Sequence, residues 1–309
     1  MVSGDIRQST EFSNLSKVTP TNMVVVQLLG GLGNQLYQYA IGRQIALTND
    51  APLKLELSKV AKDPLRTYRL KHFKIEAEIA TPDDVIQAKG GAGMIGRLLR
   101  RLDRFKPYYR RFWVKERHFH FDPKILTISG TVFLDGFWQS EAYFKSIEKK
   151  LREELALRSK LSACSERIAQ TMQNTTSVSL HVRRGDYAAN PDIYYNCPLE
   201  YYQNAIAKIK SRVENPHFFV FSDDPAWTRV NLTINDPTTF VTHNGVDRDY
   251  EDLWLISQCK HHIIANSTFS WWGAWLCSQP GKTIIAPKQW AWQAKYNHKE
   301  RIPEEWETL

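Results

Sequence analysis

The chain has 309 residues, 42% apolar and 24% charged, which excludes a disordered or collagen-like polymer and suits about two domains of ordinary size. Lys and Arg outnumber Asp and Glu 41 to 33, and the net charge of +8 points to an anionic partner: nucleic acid, lipid or a nucleotide-linked substrate.

Residues 1–22 are polar and carry no apolar stretch of the signal-peptide kind, so they read as a disordered extension. No apolar run is long enough to span a bilayer. The four cysteines (Cys164, Cys197, Cys259 and Cys277) form no CxxC pair, so the expectation is a cytoplasmic protein with reduced thiols. The β-branched run 24–29 reads as a buried strand. Gly30-Gly31-Leu32-Gly33 breaks it, a helix is expected over 34–47, and a second strand over 53–57. Strand, glycine loop, helix and strand open a doubly wound α/β domain.

That glycine loop lets a ligand approach the backbone, and the N–H groups that follow it favour an anion. It is not G-x-G-x-x-G, because Leu36 holds the third glycine position, and no Walker lysine follows. Glu56, near the end of the second strand, stands where a dinucleotide fold keeps its ribose acid, so an NAD-dependent oxidoreductase stays open as an alternative.

Further along, nine basic residues between Arg97 and Arg117 face only Asp103 and Glu116, so one short segment carries +7. Nucleic-acid binders usually place their charge on a folded reading face, and nucleic acid is not expected here. Met94, Leu98, Leu102 and Phe105 recur at helical spacing, with Arg97, Arg100, Arg101 and Arg104 around the other side. A basic amphipathic helix is therefore expected to open the segment 94–117. It is either a solvated face or a peripheral contact with an anionic membrane.

The second half repeats strand and helix. Strands are expected over 177–182, 217–221, 262–265 and 282–286, and helices over 199–213, 252–260 and 271–277. Three of these strands end in polar loops, where open α/β sheets bind ligands. A junction near 155–175 divides the chain into 23–160, which holds the basic helix 94–117, and 161–309.

Arg183 and Arg184 follow the first of these strands, in His181-Val182-Arg183-Arg184-Gly185-Asp186-Tyr187. Adjacent arginines need carboxylates or phosphates, and successive residues of a strand point apart, so one suits a ligand and the other braces the fold. Asp223 and Asp224 could accept from a nucleobase, bind a metal or cap a helix, and Asp247 and Asp249 form a second metal-like pair in a loop. Ser267, Thr268 and Ser270 can cap a helix or hold a phosphate. Trp271, Trp272 and Trp275 suit a core better than a sugar platform, although a non-catalytic carbohydrate-binding protein remains an alternative.

Together, GGLGNQLYQYA (residues 30–40), HVRRGDY (181–187), FVFSDD (219–224) and IIANSTFSWWGAWL (263–276) resemble glycosyltransferase family 11, the α-1,2-fucosyltransferases. The likeness runs from about Met23 to about Trp290. Leu36-Tyr37 replaces the family's common Met-Phe, and residues 194–200 look individual to this chain, so acceptor preference is not inherited with the motifs.

The resemblance implies a GT-B-like α/β fold, with two Rossmann-like domains facing across a cleft and the nucleotide held mainly by the second. It implies GDP-fucose as donor, a terminal β-galactoside as acceptor, inversion at the anomeric carbon and no metal or other cofactor. Arg183 would then meet the β-phosphate with Arg184 in support, while His181 and Asp223 or Asp224 would read guanine. Asn266, Ser267, Thr268 and Ser270 would line the phosphates. Gly31, Gly33 and Asn34 would close the first domain over them. A leaving diphosphate gains negative charge that arginines, hydroxyls and N–H dipoles can stabilise. Asp186 is the candidate base for the acceptor hydroxyl. It could equally be an arginine's structural partner, with a late proton transfer to water or phosphate.

Overall fold

The computed structural model describes residues 22–192, 194–293 and 299–309, so the extension expected over 1–22 lies outside the described residues except for Asn22. Two sheets, parallel throughout, make up the molecule. The first contains β1 (Val24–Gln27), β2 (Leu53–Glu56), β3 (Glu78–Ile79), β4 (Trp113–Lys115) and β5 (Val132–Asp135), in the order β3-β2-β1-β5-β4. Its helices are α1 (Leu32–Thr48), α2 (Ser58–Lys62), α3 (Pro82–Ala88), α4 (Gly93–Asp103) and α5 (Glu148–Glu154).

The second sheet contains β6 (Thr176–Val182), β7 (Pro216–Ser222), β8 (Thr238–Val241), β9 (His261–Ile263), β10 (Ile284–Ala286) and β11 (Glu307–Thr308), in the order β11-β10-β9-β6-β7-β8. Its helices are α6 (Ala163–Gln173), α7 (Gly185–Ala189), α8 (Leu199–Lys210), α9 (Pro225–Asn231), α10 (Asp249–Gln258) and α11 (Thr268–Leu276). This is the expected pair of doubly wound halves.

The central strands are buried because helices cover both faces of a parallel sheet. All four residues of β1 are buried, with Val24 in register with Leu53 on one side and Val132 on the other. β6 pairs with β7 from Thr176↔Pro216 to Val182↔Ser222 and with β9 at Leu180↔Ile263, so it is central as well.

α1 is buried almost all round because α11, from the second half, packs across it. Tyr37 of α1 lies 4.9 Å from the Trp271 ring and 5.0 Å from that of Trp272, and Phe144 stacks on Trp272 at 5.3 Å. Trp271, Trp272, Trp275 and Trp306 therefore complete the first half's core. These four rings therefore offer no sugar platform.

The basic helix is shorter than 94–117. α4 stops at Asp103, whose carboxylate accepts from the Phe112 N–H and draws the chain back, and Pro107 cannot extend a helix. The rest of the segment becomes a short 3-10 turn and then β4, at the sheet edge beside β5.

Candidate active site

Loops at the carboxyl ends of the two sheets meet, and the motif residues gather there. At the end of β6, Arg183 Nη1 pairs with Asp223 Oδ2 at 2.8 Å and Nη2 donates to Asp186 Oδ1 at 2.5 Å. Arg66, from the segment after α2, donates to the other oxygen of Asp186 at 2.7 Å and so links the two halves. The Arg184 N–H donates to Asp223 Oδ1 at 2.7 Å, and its guanidinium lies over Trp227 at 3.7 Å with Nε 3.6 Å from Asp224 Oδ2. Asp224 also caps α9 by accepting from the Trp227 N–H. Both aspartates of the SDD turn thus hold arginines in place. With five donors on each guanidinium, Arg183 keeps N–H groups free for an anion.

His181 is buried beside this network, where desolvation lowers its pKa to about 4, with Asp223 pulling upward and Arg183 downward. Its imidazole is neutral near pH 7, and Nδ1 has no hydrogen-bond partner among the described residues. A neutral ring with a spare nitrogen offers a hydrogen bond, not a charge. Tyr187, one turn on, stacks on Tyr194 at 4.5 Å and lies under the Arg183 guanidinium at 5.2 Å.

The glycine loop meets the start of α11. A Cβ on Gly33 would lie 2.5 Å from the Thr268 carbonyl carbon and 2.6 Å from the Phe269 nitrogen, so only glycine allows this approach. Thr268 Oγ1 donates to Asn34 Oδ1 at 3.2 Å, and Gln139 donates to the same oxygen at 2.9 Å. Gly31 is more open, with only Arg66 side-chain atoms nearby, at 3.9–4.0 Å.

Ser267 Oγ caps α11 by accepting from the Phe269 N–H, and the Ser270 hydroxyl donates back to the Ser267 carbonyl. Asn266 is buried, with Nδ2 donating to the Tyr195 and Trp290 carbonyls at 2.6 and 3.0 Å and Oδ1 accepting from the Cys197 thiol. Its amide is consumed by the fold.

Of the other expectations, Glu56 is buried, accepting from Gln27 Nε2 at 2.6 Å and from the Ser58 N–H at 2.8 Å, so the oxygens that the NAD alternative needs are occupied. Asp247 and Asp249 serve a second bridge between the halves: Arg69 donates to Asp247 at 3.0 Å and lies 3.4 Å from Asp249. Burial raises Asp249 to about 6 and Asp252, which accepts from Asn244 at 2.8 Å, to about 7.

Sequence reasoning missed Arg66, Arg69 and Arg301, because no motif or period marks them. Arg301 is only 8% exposed, lies over Trp290 at 5.1 Å and makes no salt bridge among the described residues, where its Nε is unpartnered. The titratable groups near it are Tyr37, Tyr187 and Glu116, and burial raises Glu116 although the Phe137 and Trp138 N–H groups bind its carboxylate. A buried guanidinium with no carboxylate partner among the described residues is costly in a folded chain.

A sequence profile of glycosyl transferase family 11 matches residues 105–309. An Escherichia coli alpha-1,2-colitosyltransferase is 33% identical over 92% of this chain and 98% of its own length. A galactoside alpha-(1,2)-fucosyltransferase 2 of Sus scrofa is 23% identical over 91% of this chain and 77% of its own. The fold is GT-B: the crystal structure of fucosyltransferase NodZ from Bradyrhizobium superposes with a TM-score of 0.53 at 16% identity, covering 85% of this chain and 97% of that one.

Proposed function

This chain belongs to glycosyl transferase family 11, and we propose that it is an inverting α-1,2-fucosyltransferase carrying L-fucose from GDP-fucose to the 2-hydroxyl of a terminal β-galactoside. The observation that carries the reading is Arg183, held at the carboxyl end of the central strand β6 between Asp186 and Asp223 with donors to spare. As the fucose–phosphate bond breaks, the diphosphate gains negative charge. A guanidinium fixed in advance stabilises that charge without reorganising. Arg184 assists it, and the step needs no metal ion.

His181 accepts or donates one hydrogen bond at the guanine edge. Asp223 and Asp224 act through the arginines they hold, and Asp186, both of whose oxygens already accept from guanidinium groups, is a positioning residue for Arg183. The acceptor's proton then leaves late, to water or to the departing phosphate, as a dissociative transition state allows.

A second reading, transfer of colitose in place of fucose, is favoured by the 33% identical relative. Incubation with GDP-fucose or the corresponding colitosyl nucleotide and a panel of β-galactosides, with the product linkage read by NMR and a chelator control, tests both. An α-1,2-fucosyl product that still forms in chelator supports the first reading. No product from GDP-fucose contradicts it.

A further inference from the structure

The segment after α3 takes no part in the donor site, yet it carries the densest exposed apolar surface of the described residues. Only Gly96 and Asp103 of α4 are buried: Gly96 sits against the Gly90 and Gly91 carbonyls, and Asp103 accepts from the Phe112 N–H and pairs with Lys106 at 3.2 Å. At 100° per residue, this inward side turns Met94 and Leu98 outward, with Leu102, Ile95 and Leu99 following down one flank, and Phe105 extends the stripe beyond the helix. Six of the sixteen large apolar side chains that stand exposed among the described residues lie in these twelve, with Met94 81% and Phe105 86% exposed.

Arg97, Arg101 and Arg104 border the stripe on one side, and none of them pairs with a carboxylate among the described residues. Just past Phe105, a cavity lined by Lys106, Arg110, Arg111, Ser129 and Thr131 adds further cations and hydroxyls. A soluble monomer rarely leaves so continuous an apolar stripe facing water. With a cationic border, the stripe has the form of a helix that lies in a membrane interface.

We propose that α4 and the turn up to Arg111 dock the enzyme on an anionic phospholipid bilayer. The six apolar side chains enter the acyl boundary and the arginines lie among the headgroup phosphates. No helix among the described residues is long and apolar enough to cross a membrane, so this contact is peripheral. It keeps the first sheet beside any acceptor glycan borne on a lipid.

Co-sedimentation of the full chain with vesicles of phosphatidylcholine alone, or of phosphatidylcholine mixed with phosphatidylglycerol, tests the proposal. Two variants accompany it: Arg97→Gln with Arg101→Gln and Arg104→Gln, and Leu98→Ser with Leu102→Ser. All five positions are exposed, so thermal unfolding midpoints should stay unchanged and serve as the folding control. The wild type should pellet with the anionic vesicles only. The arginine variant should lose about two orders of magnitude of partition, roughly fivefold per arginine. The leucine variant should lose binding at low and high salt alike. Wild type remaining in the supernatant with anionic vesicles, or undiminished binding in either variant, would overturn the proposal. A dimer in sedimentation velocity that the leucine variant dissolves would also overturn it, because a second copy of the chain would then cover the stripe.

Discussion

Arg66 and Asp186 meet at 2.7 Å across the cleft, and the other oxygen of Asp186 holds Arg183. The pair is about one-quarter to one-third exposed, so solvent screening limits its worth to stability to under about 1 kcal/mol. Its effect on function should be larger, because it fixes the group proposed to meet the phosphates. Arg66→Ala should leave the unfolding midpoint almost unchanged while kcat/KM for the donor falls about tenfold to a hundredfold, since small misplacements at a reacting centre are expensive. Asp186→Asn should give a similar loss with an unshifted pH–rate profile. A profile that loses its acidic limb would make Asp186 the base instead.

Gly33 and Gly31 separate packing from binding. Gly33→Ala drives a methyl group into the backbone of Thr268 and Phe269, which cannot yield, and should cost about 1–3 kcal/mol in urea unfolding. Gly31→Ala meets only the flexible end of Arg66 and should leave stability intact while weakening GDP binding in the same preparation.

Asn266→Ala should behave as a structural lesion. It removes the amide that binds the Tyr195 and Trp290 carbonyls and the Cys197 thiol in a buried setting, a loss on the order of 2–3 kcal/mol. Below the lowered unfolding midpoint, GDP affinity by titration calorimetry should match the wild type. A selective loss of affinity with unchanged stability would place the amide at the ligand.

Asp252 gives a pH dependence of unusual sign. Burial holds its carboxyl at about 7, above the range of an unfolded aspartate, so the folded state binds more protons between about pH 4 and pH 7. Stability from this group is present below that window and falls as pH rises through it. Asp252→Asn should therefore stabilise the protein by on the order of 2 kcal/mol at pH 8 and by little at pH 4, measured as chemical unfolding at the two pH values.

The sequence made the central strands and the loops at their ends legible, because β1 and β7 carry apolar runs and β6, where Ser and His alternate with Val and Leu, ends in the basic turn. The edge strands were not. β3 and β4 are two and three residues long and largely exposed, and their pairing is decided by neighbours distant in sequence. α11 begins at Thr268, three residues before the expected start, because Ser267 is the cap. His181, Arg183 and Asp223 announced themselves by motif. Arg66 and Arg301 became visible only on folding, one to pair with Asp186 and the other to lie buried against Trp290.

The central claim is that Arg183 holds the donor's diphosphate, and titration calorimetry of GDP into wild type, Arg183→Ala and Arg183→Lys tests it most directly. Loss of a charge-assisted fork should weaken GDP binding about a hundredfold in Arg183→Ala, and Arg183→Lys should recover only part of it because an ammonium cannot form the fork. Equal GDP affinity in all three proteins would contradict the account.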